Sequence, residues 1–311
     1  MPKRKQGSDD VDDGKSSSSE VSLVDVSFDF FDPNPNVDYH AIKRLLGQLF
    51  QRDAEGLNLH ELTELILGQP TVGTTIKTDG VQSDPFALLT VLNMHLHHQN
   101  ASIKAIANYV LAITATHDQA FHATLQQLFS QSDAHVGLVL CERLVNMPVQ
   151  VIPPMYTMLA DEVKWALADG EPYNFTHLII VSRVYHLTED EESLLANSAS
   201  TRRARGSGSA ANGDGSPKKH KKHRAQEDEG SSVARPEDGI YPFHPEDNII
   251  WQSAIHSLTF PYQTPVPPLV QETRSRDAFG LDVRGRIMMV SGGAETFREL
   301  GTKMKDVFGT G

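Results

Sequence analysis

Histidines, carboxylates and a single cysteine are the residues from which this 311-residue chain can build a reactive or metal-binding centre. The densest group is Met94-His-Leu-His-His98, inside a run that reads as a strand, where His95 and His97 project from one face as two metal ligands would. No carboxylate or cysteine stands at ligand spacing beside them, and His60-Glu61 lacks the second histidine of a zinc-protease helix. These histidines therefore read as the polar face of an element. Cys141 closes the apolar stretch Val136–Cys141, where a thiol behaves as a small hydrophobe rather than a nucleophile. One cysteine excludes an intrachain disulfide framework and a multi-cysteine zinc site, and suits a reducing compartment.

Gly14-Lys15-Ser16 has the ending of a phosphate-binding loop, but the required glycine falls on Asp9 and no strand precedes it. Val290-Ser-Gly-Gly-Ala-Glu-Thr-Phe297 is better placed. A strand, two glycines and a helix start can present backbone N–H groups to an anion such as a cofactor pyrophosphate. The competing reading is a tight strand-to-helix turn, with Glu295 repelling phosphate from the first helical turn. There is no Gly-x-Ser-x-Gly elbow, and a catalytic carboxylate pair is defined by a cleft that a sequence does not reveal. No catalytic, cofactor-binding or metal-binding residues are assigned and no cofactor is called for; these residues indicate no enzyme and do not rule one out.

The elements that would position these residues alternate between two periods. Val24, Val26, Phe28 and Phe30 alternate with polar residues as in a half-buried strand. Ile42, Leu45, Leu46, Leu49 and Phe50 then recur at helical spacing behind Asp38 as cap, and a short helix runs from His60 to near Gly68. Strands are expected at Thr71–Thr78, Phe86–Leu96, Val136–Cys141 and His177–His186, with helices capped by Ser102 and Asp118 and another opened by Pro153 and Pro154. Beyond a turn-rich Tyr241–Asp247, strands at Ile255–Phe260 and Arg286–Val290 precede a helix over Glu295–Val307, with Phe297, Leu300, Met304 and Val307 on one face. Interleaved strands and helices with no repeat of fixed period predict an α/β fold with a mixed sheet flanked by helices.

Residues 1–20 and 188–238 are rich in Ser, Gly and charge and read as a disordered acidic, serine-rich tail and a disordered charged linker. The main part of the domain is then 21–187, and 239–311 completes the same sheet across the linker, since closure entropy grows only logarithmically with loop length. Hydrophobic residues at 39% fit an ordinary core diluted by such segments. The formal net charge is −12, and residues 21–187 carry 8 basic against 17 acidic residues, while tail and linker nearly neutralise themselves. This excess argues against a dedicated phosphate-backbone binder and favours a basic partner. Lys218, Lys219, Lys221, Lys222 and Arg224 form an exposed basic run with the composition of a nuclear localisation signal, and Lys3, Arg4 and Lys5 offer a second; nucleic acid would be held only weakly, through the linker.

No N-terminal stretch of about 7–15 apolar residues marks a secretory signal, and no run approaches the ~20 needed to span a bilayer, so a soluble intracellular chain without membrane insertion is expected. The sequons Asn100-Ala-Ser and Asn174-Phe-Thr are accordingly chance matches.

Phe28-Asp-Phe-Phe-Asp-Pro-Asn-Pro-Asn-Val-Asp-Tyr-His-Ala-Ile-Lys-Arg-Leu-Leu-Gly-Gln-Leu-Phe50 resembles the entry motif of the BCCIP family. The strand Thr176–Tyr185, the charged linker and Tyr241-Pro-Phe-His244 follow in that family's order, so the resemblance runs over roughly 20–308. It implies a fold like the GNAT-type acetyltransferases without their acetyl-coenzyme A chemistry, and a nuclear binding protein, shuttling to the cytoplasm, that chaperones a basic large-subunit ribosomal protein. Nuclear import and export receptors are the further partners it implies, with roles in protein transport and ribosome biogenesis. The alternative is a GNAT-type acyltransferase that keeps an anion or cofactor site at Gly292-Gly293.

Overall fold

The computed structural model describes residues 27–193, 236, 238–265 and 282–309. In chain order the elements are β1 (Asp29–Phe31), α1 (Tyr39–Phe50), α2 (Leu59–Leu67), β2 (Thr74–Lys77), β3 (Ala87–Asn93), α3 (Ala101–His117), α4 (Gln119–Ser130), β4 (His135–Arg143), α5 (Ile152–Ala168), β5 (Phe175–His186), β6 (Ile240–Pro242), α6 (Asp247–Gln252), β7 (His256–Phe260), β8 (Asp282–Ser291) and α7 (Ala294–Phe308).

The strands form one mixed sheet in the order β1-β2-β3-β4-β5-β8-β7, with β6 paired to β5 off this path. Every pairing is antiparallel except β4 with β5. A parallel pair needs a crossover, and α5 supplies it. Helices cover both faces, so the central strands are buried on both sides and read as continuous apolar runs. In β5, Ile179 and Val181 join the core under α1–α4, while Leu178 and Ile180 join the core under α5–α7. Strand β8 divides in the same way, Ile287 and Met289 to one side and Met288 and Val290 to the other. The C-terminal strands thus complete the sheet begun by the first block. The mixed sheet flanked by helices is the architecture that the periodicity predicts; a GNAT fold is not established by it.

Several local expectations are corrected. Asp38 precedes α1 but makes no side-chain cap. Its carboxylate instead accepts from Lys77 Nζ at 2.6 Å and from the Asn34 N–H at 2.8 Å, because a fully buried lysine needs a counter-charge. The cap of α3 is Asn100, whose Oδ1 accepts from the Ser102 and Ile103 amides, and Ser102 is buried with its hydroxyl donating to Leu57 O. Asp118 does cap α4, accepting from the Phe121 amide. Val307 is exposed, and the last turn of α7 packs on the core through Phe308 instead. Residues 21–26 of the expected first strand lie outside the described residues, as does most of 188–238. The start of that segment is described: the Glu192 amide donates to Thr188 O, and Tyr241 Oη donates to Glu192 Oε1.

Candidate functional site

The centre of the sheet holds a gap. The ladder between β4 and β5 runs from His135↔Phe175 to Val139↔Ile180 and stops, while β4 continues to Arg143 and β5 to His186. Strand β8 occupies one edge of β5 from His177 to His186, so β6, pairing Val184–His186, must lie on the other edge, in the opening next to β4. The chain beyond β6 continues the filling, with the Phe243 amide donating to Arg183 O.

Charged side chains complete it. Glu142 is almost fully buried and accepts from Arg183 Nε at 2.9 Å and Nη2 at 3.1 Å, from His244 Nε2 at 2.6 Å and from Gln48 Nε2 at 3.0 Å. Arg143 forms a bidentate pair with Glu246, at 2.9 and 3.0 Å, and donates to Met147 O. Arg183 also lies over the Phe243 ring, 4.5 Å from its centroid. The bidentate Arg143–Glu246 pair and the His244–Glu142 bond therefore bind residues 244–246 to the end of β4, and the bidentate Arg183–Glu142 pair ties the ends of β4 and β5 to each other.

The electrostatics follow from this crowding. Burial alone would raise the Glu142 carboxyl, but the His244 and Arg183 hydrogen bonds and charges outweigh it and bring it down to about 2. Burial likewise lowers His244, and the bond to Glu142 reverses the sign and holds it above its ordinary value. Asp247 has no such donor. Burial pushes it up to about 7, with the Glu246 and Glu142 charges adding to the rise and those of His244 and Arg286 opposing it. Its Oδ2 and the Nδ1 of His244 are buried without a hydrogen-bond partner among the described residues. The Cys141 thiol is driven well up by burial and then by Glu246 and Asp247, so it stays protonated and is no nucleophile, as its apolar surroundings in the sequence suggest.

Gly292-Gly293 lies at the far end of β8. The Gly292 N–H, which an anion would need, donates to Thr176 O at 2.8 Å, and a β-carbon there would stand 2.5 Å from Phe175 O. Gly293 takes φ +104°, a backbone region side chains rarely enter. Close packing and turn geometry account for both glycines.

The histidine run corrects another expectation. Strand β3 stops at Asn93, whose Oδ1 accepts from the His95 and Leu96 amides and turns the chain, so His95 and His97 do not share a strand face. His95 Nδ1 accepts from the Val136 amide and Nε2 faces Leu128 O, which leaves neither nitrogen for a metal. Burial lowers His97. Among the described residues no group of three or more His, Cys, Asp or Glu is arranged to hold a metal ion, and no helix is long and apolar enough to cross a membrane. Asp9, the Gly14-Lys15-Ser16 segment, Lys3, Arg4, Lys5, Lys218, Lys219, Lys221, Lys222 and Arg224 all lie outside the described residues.

What remains as a recognition surface is acidic. Over residues 27–193 Asp29, Asp32, Glu55, Glu61, Glu64, Asp79, Asp84, Asp133, Asp169, Glu189 and Asp190 are exposed, against Lys43, Arg44, Lys104 and Lys164. No sequence signal marked the ionic filling of the β4–β5 gap, although His244 lies within the Tyr241-Pro-Phe-His segment.

The chain is an α/β protein with a mixed sheet, and it belongs to the BCCIP family: the BCCIP family profile matches residues 23–250. It is similar to protein bcp1 of Aspergillus fumigatus, 39% identical over 274 residues that cover 88% of this chain and 84% of the relative. Protein bcp1 of Schizosaccharomyces pombe is 35% identical over 290 residues, covering 93% and 92%. The crystal structure of BCP1 from Saccharomyces cerevisiae matches with a TM-score of 0.57 at 25% identity, over 95% of this chain and 92% of that one.

Proposed function

We propose that this chain is a non-enzymatic nuclear binding protein that chaperones a basic large-subunit ribosomal protein, takes part in nuclear export and protein transport, and so serves ribosome biogenesis. The observation that carries the reading is the excess of exposed carboxylates on residues 27–193. Ribosomal proteins are strongly basic, and an acidic surface raises their association rate and competes with promiscuous RNA binding. The filled β4–β5 gap supports the same reading, because Glu142, Arg183, His244, Arg143 and Glu246 occupy the place where parallel strands that separate would open a cleft. The basic runs Lys218–Arg224 and Lys3–Lys5 are the segments an import receptor would grip. Replacing those lysines and arginines should move the protein out of the nucleus, read by fluorescence microscopy.

Stopped-flow association with a purified basic ribosomal protein tests the central claim. Exposed charges are screened beyond a Debye length of about 8–10 Å near physiological ionic strength, so the on-rate should fall steeply as salt is raised. A rate indifferent to salt would sink the electrostatic chaperone.

A further inference from the structure

A cavity of about 780 Å³ opens between the start of α3, the end of α4 and the turn that follows β3. It lies on the α1–α4 side of the sheet, away from the ionic filling, and the proposed chaperone role makes no use of it. Its apolar wall is made by Met94, Ile103, Ala107 and Phe129. Its polar groups are held in place from behind. Asn93 Nδ2 meets His135 Nδ1 at 3.0 Å and also donates to Pro172 O, while its Oδ1 is fixed by two amides, so the amide orientation is set and His135 Nδ1 is the acceptor. The neutral His135 ring then keeps its proton on Nε2. The ring stacks on His95, 5.3 Å between centroids and 10° from parallel, which locks its plane.

Lys104 lies on the first turns of α3, exposed and with no carboxylate partner among the described residues, near the positive end of a 17-residue helix. The exposed carboxylate of Asp133 is also part of the lip. An apolar wall of this size with a cation and an oriented N–H beside it is the composition of a small-ligand site.

We propose that this cavity binds a small amphipathic monocarboxylate, its apolar body against Ile103, Ala107 and Phe129 and its carboxylate on Lys104 Nζ and the Nε2–H of His135. Asp133 restricts the ligand to a single negative charge, since a dianion would bring its second charge against that lip. The field of the acidic body disfavours anions at a distance, so recognition comes from contact and not from steering.

Calorimetric titration of the full chain with octanoate, octanol, octylamine and octylphosphonate tests the site. Octanoate should bind saturably and about tenfold or more tightly than the alcohol, the amine or, in mildly alkaline buffer where it is a dianion, the phosphonate, the size expected of one charge-assisted contact. Lys104→Met should bring octanoate to the level of octanol, and Ala107→Trp should abolish binding by filling the cavity. Lys104 is exposed, so its variant folds even if the tryptophan does not, and amide shifts at Ala107 and Ser132 locate the ligand. No saturable octanoate binding, equal binding of octylamine, affinity unchanged in Lys104→Met, or shifts confined to another face would each overturn the proposal.

Discussion

Glu142→Gln is the substitution whose consequence the structure specifies most fully. The glutamine keeps the shape but loses the charge that Arg183 and His244 share, and its amide nitrogen faces donors wherever it points. Removing one partner of a buried ion pair leaves the other uncompensated and costs roughly 3–5 kcal/mol. The pH dependence separates this cause from a packing fault. A carboxyl near 4.5 in the unfolded chain and about 2 in the folded protein binds fewer protons when folded. It therefore contributes stability above the unfolded value that is lost as pH falls through the folded one. For that shift the contribution at pH 5 is about 3 kcal/mol, and about 2 kcal/mol of it is lost by pH 3. In the wild type His244, held above its ordinary value, is protonated in both states across this window; in the variant, burial without the Glu142 carboxylate lowers it, which offsets part of the narrowing. Urea unfolding of both proteins at pH 5 and pH 3 should thus show a gap of several kcal/mol that narrows by up to about 2 kcal/mol at the lower pH. A gap that is small at pH 5, or the same at both pH values, would refute the claim that Glu142 is held ionised by its partners.

Asp247→Asn should have the opposite sign: burial raises this carboxyl to about 7, so the wild type loses stability as pH rises from the ordinary aspartate range through that value. The asparagine variant, compared by urea unfolding, should gain more than ~1 kcal/mol on the wild type between pH 5 and pH 8; a constant difference would count against a buried, unpaired Asp247. Gly292→Ala places a methyl against the Phe175 carbonyl and should cost roughly 1–3 kcal/mol in thermal unfolding. A variant of wild-type stability would remove the packing explanation and return the glycine pair to the anion-site reading.

The helices were the most legible part. Ile42, Leu45, Leu46, Leu49 and Phe50 recur at helical spacing and all are buried, because one side of α1 faces a sheet and the other faces water. Boundaries set by single side chains were less legible. Asn100 rather than Ser102 caps α3, since Ser102 is drawn inward to Leu57 O, and β3 ends at Asn93 because that side chain bonds the next two amides it meets. His95 and His97 leave a common face for the same reason: a period of two holds only while the strand lasts, and β3 ends at Asn93.

By itself the sequence determined the alternation of strands and helices, the sidedness of the helices, the concentration of acid on residues 21–187 and the resemblance to a family, because each is a property of neighbouring residues or of composition. The tertiary structure alone decided how the centre of the sheet is closed. Glu142 meets Arg183 and His244 across 41 and 102 residues of chain, and Arg143 meets Glu246 across 103. No local pattern encodes such contacts. They exist because β4 and β5 run parallel, separate beyond Val139 and Ile180, and expose polar ends that only a distant segment of the chain can reach and neutralise.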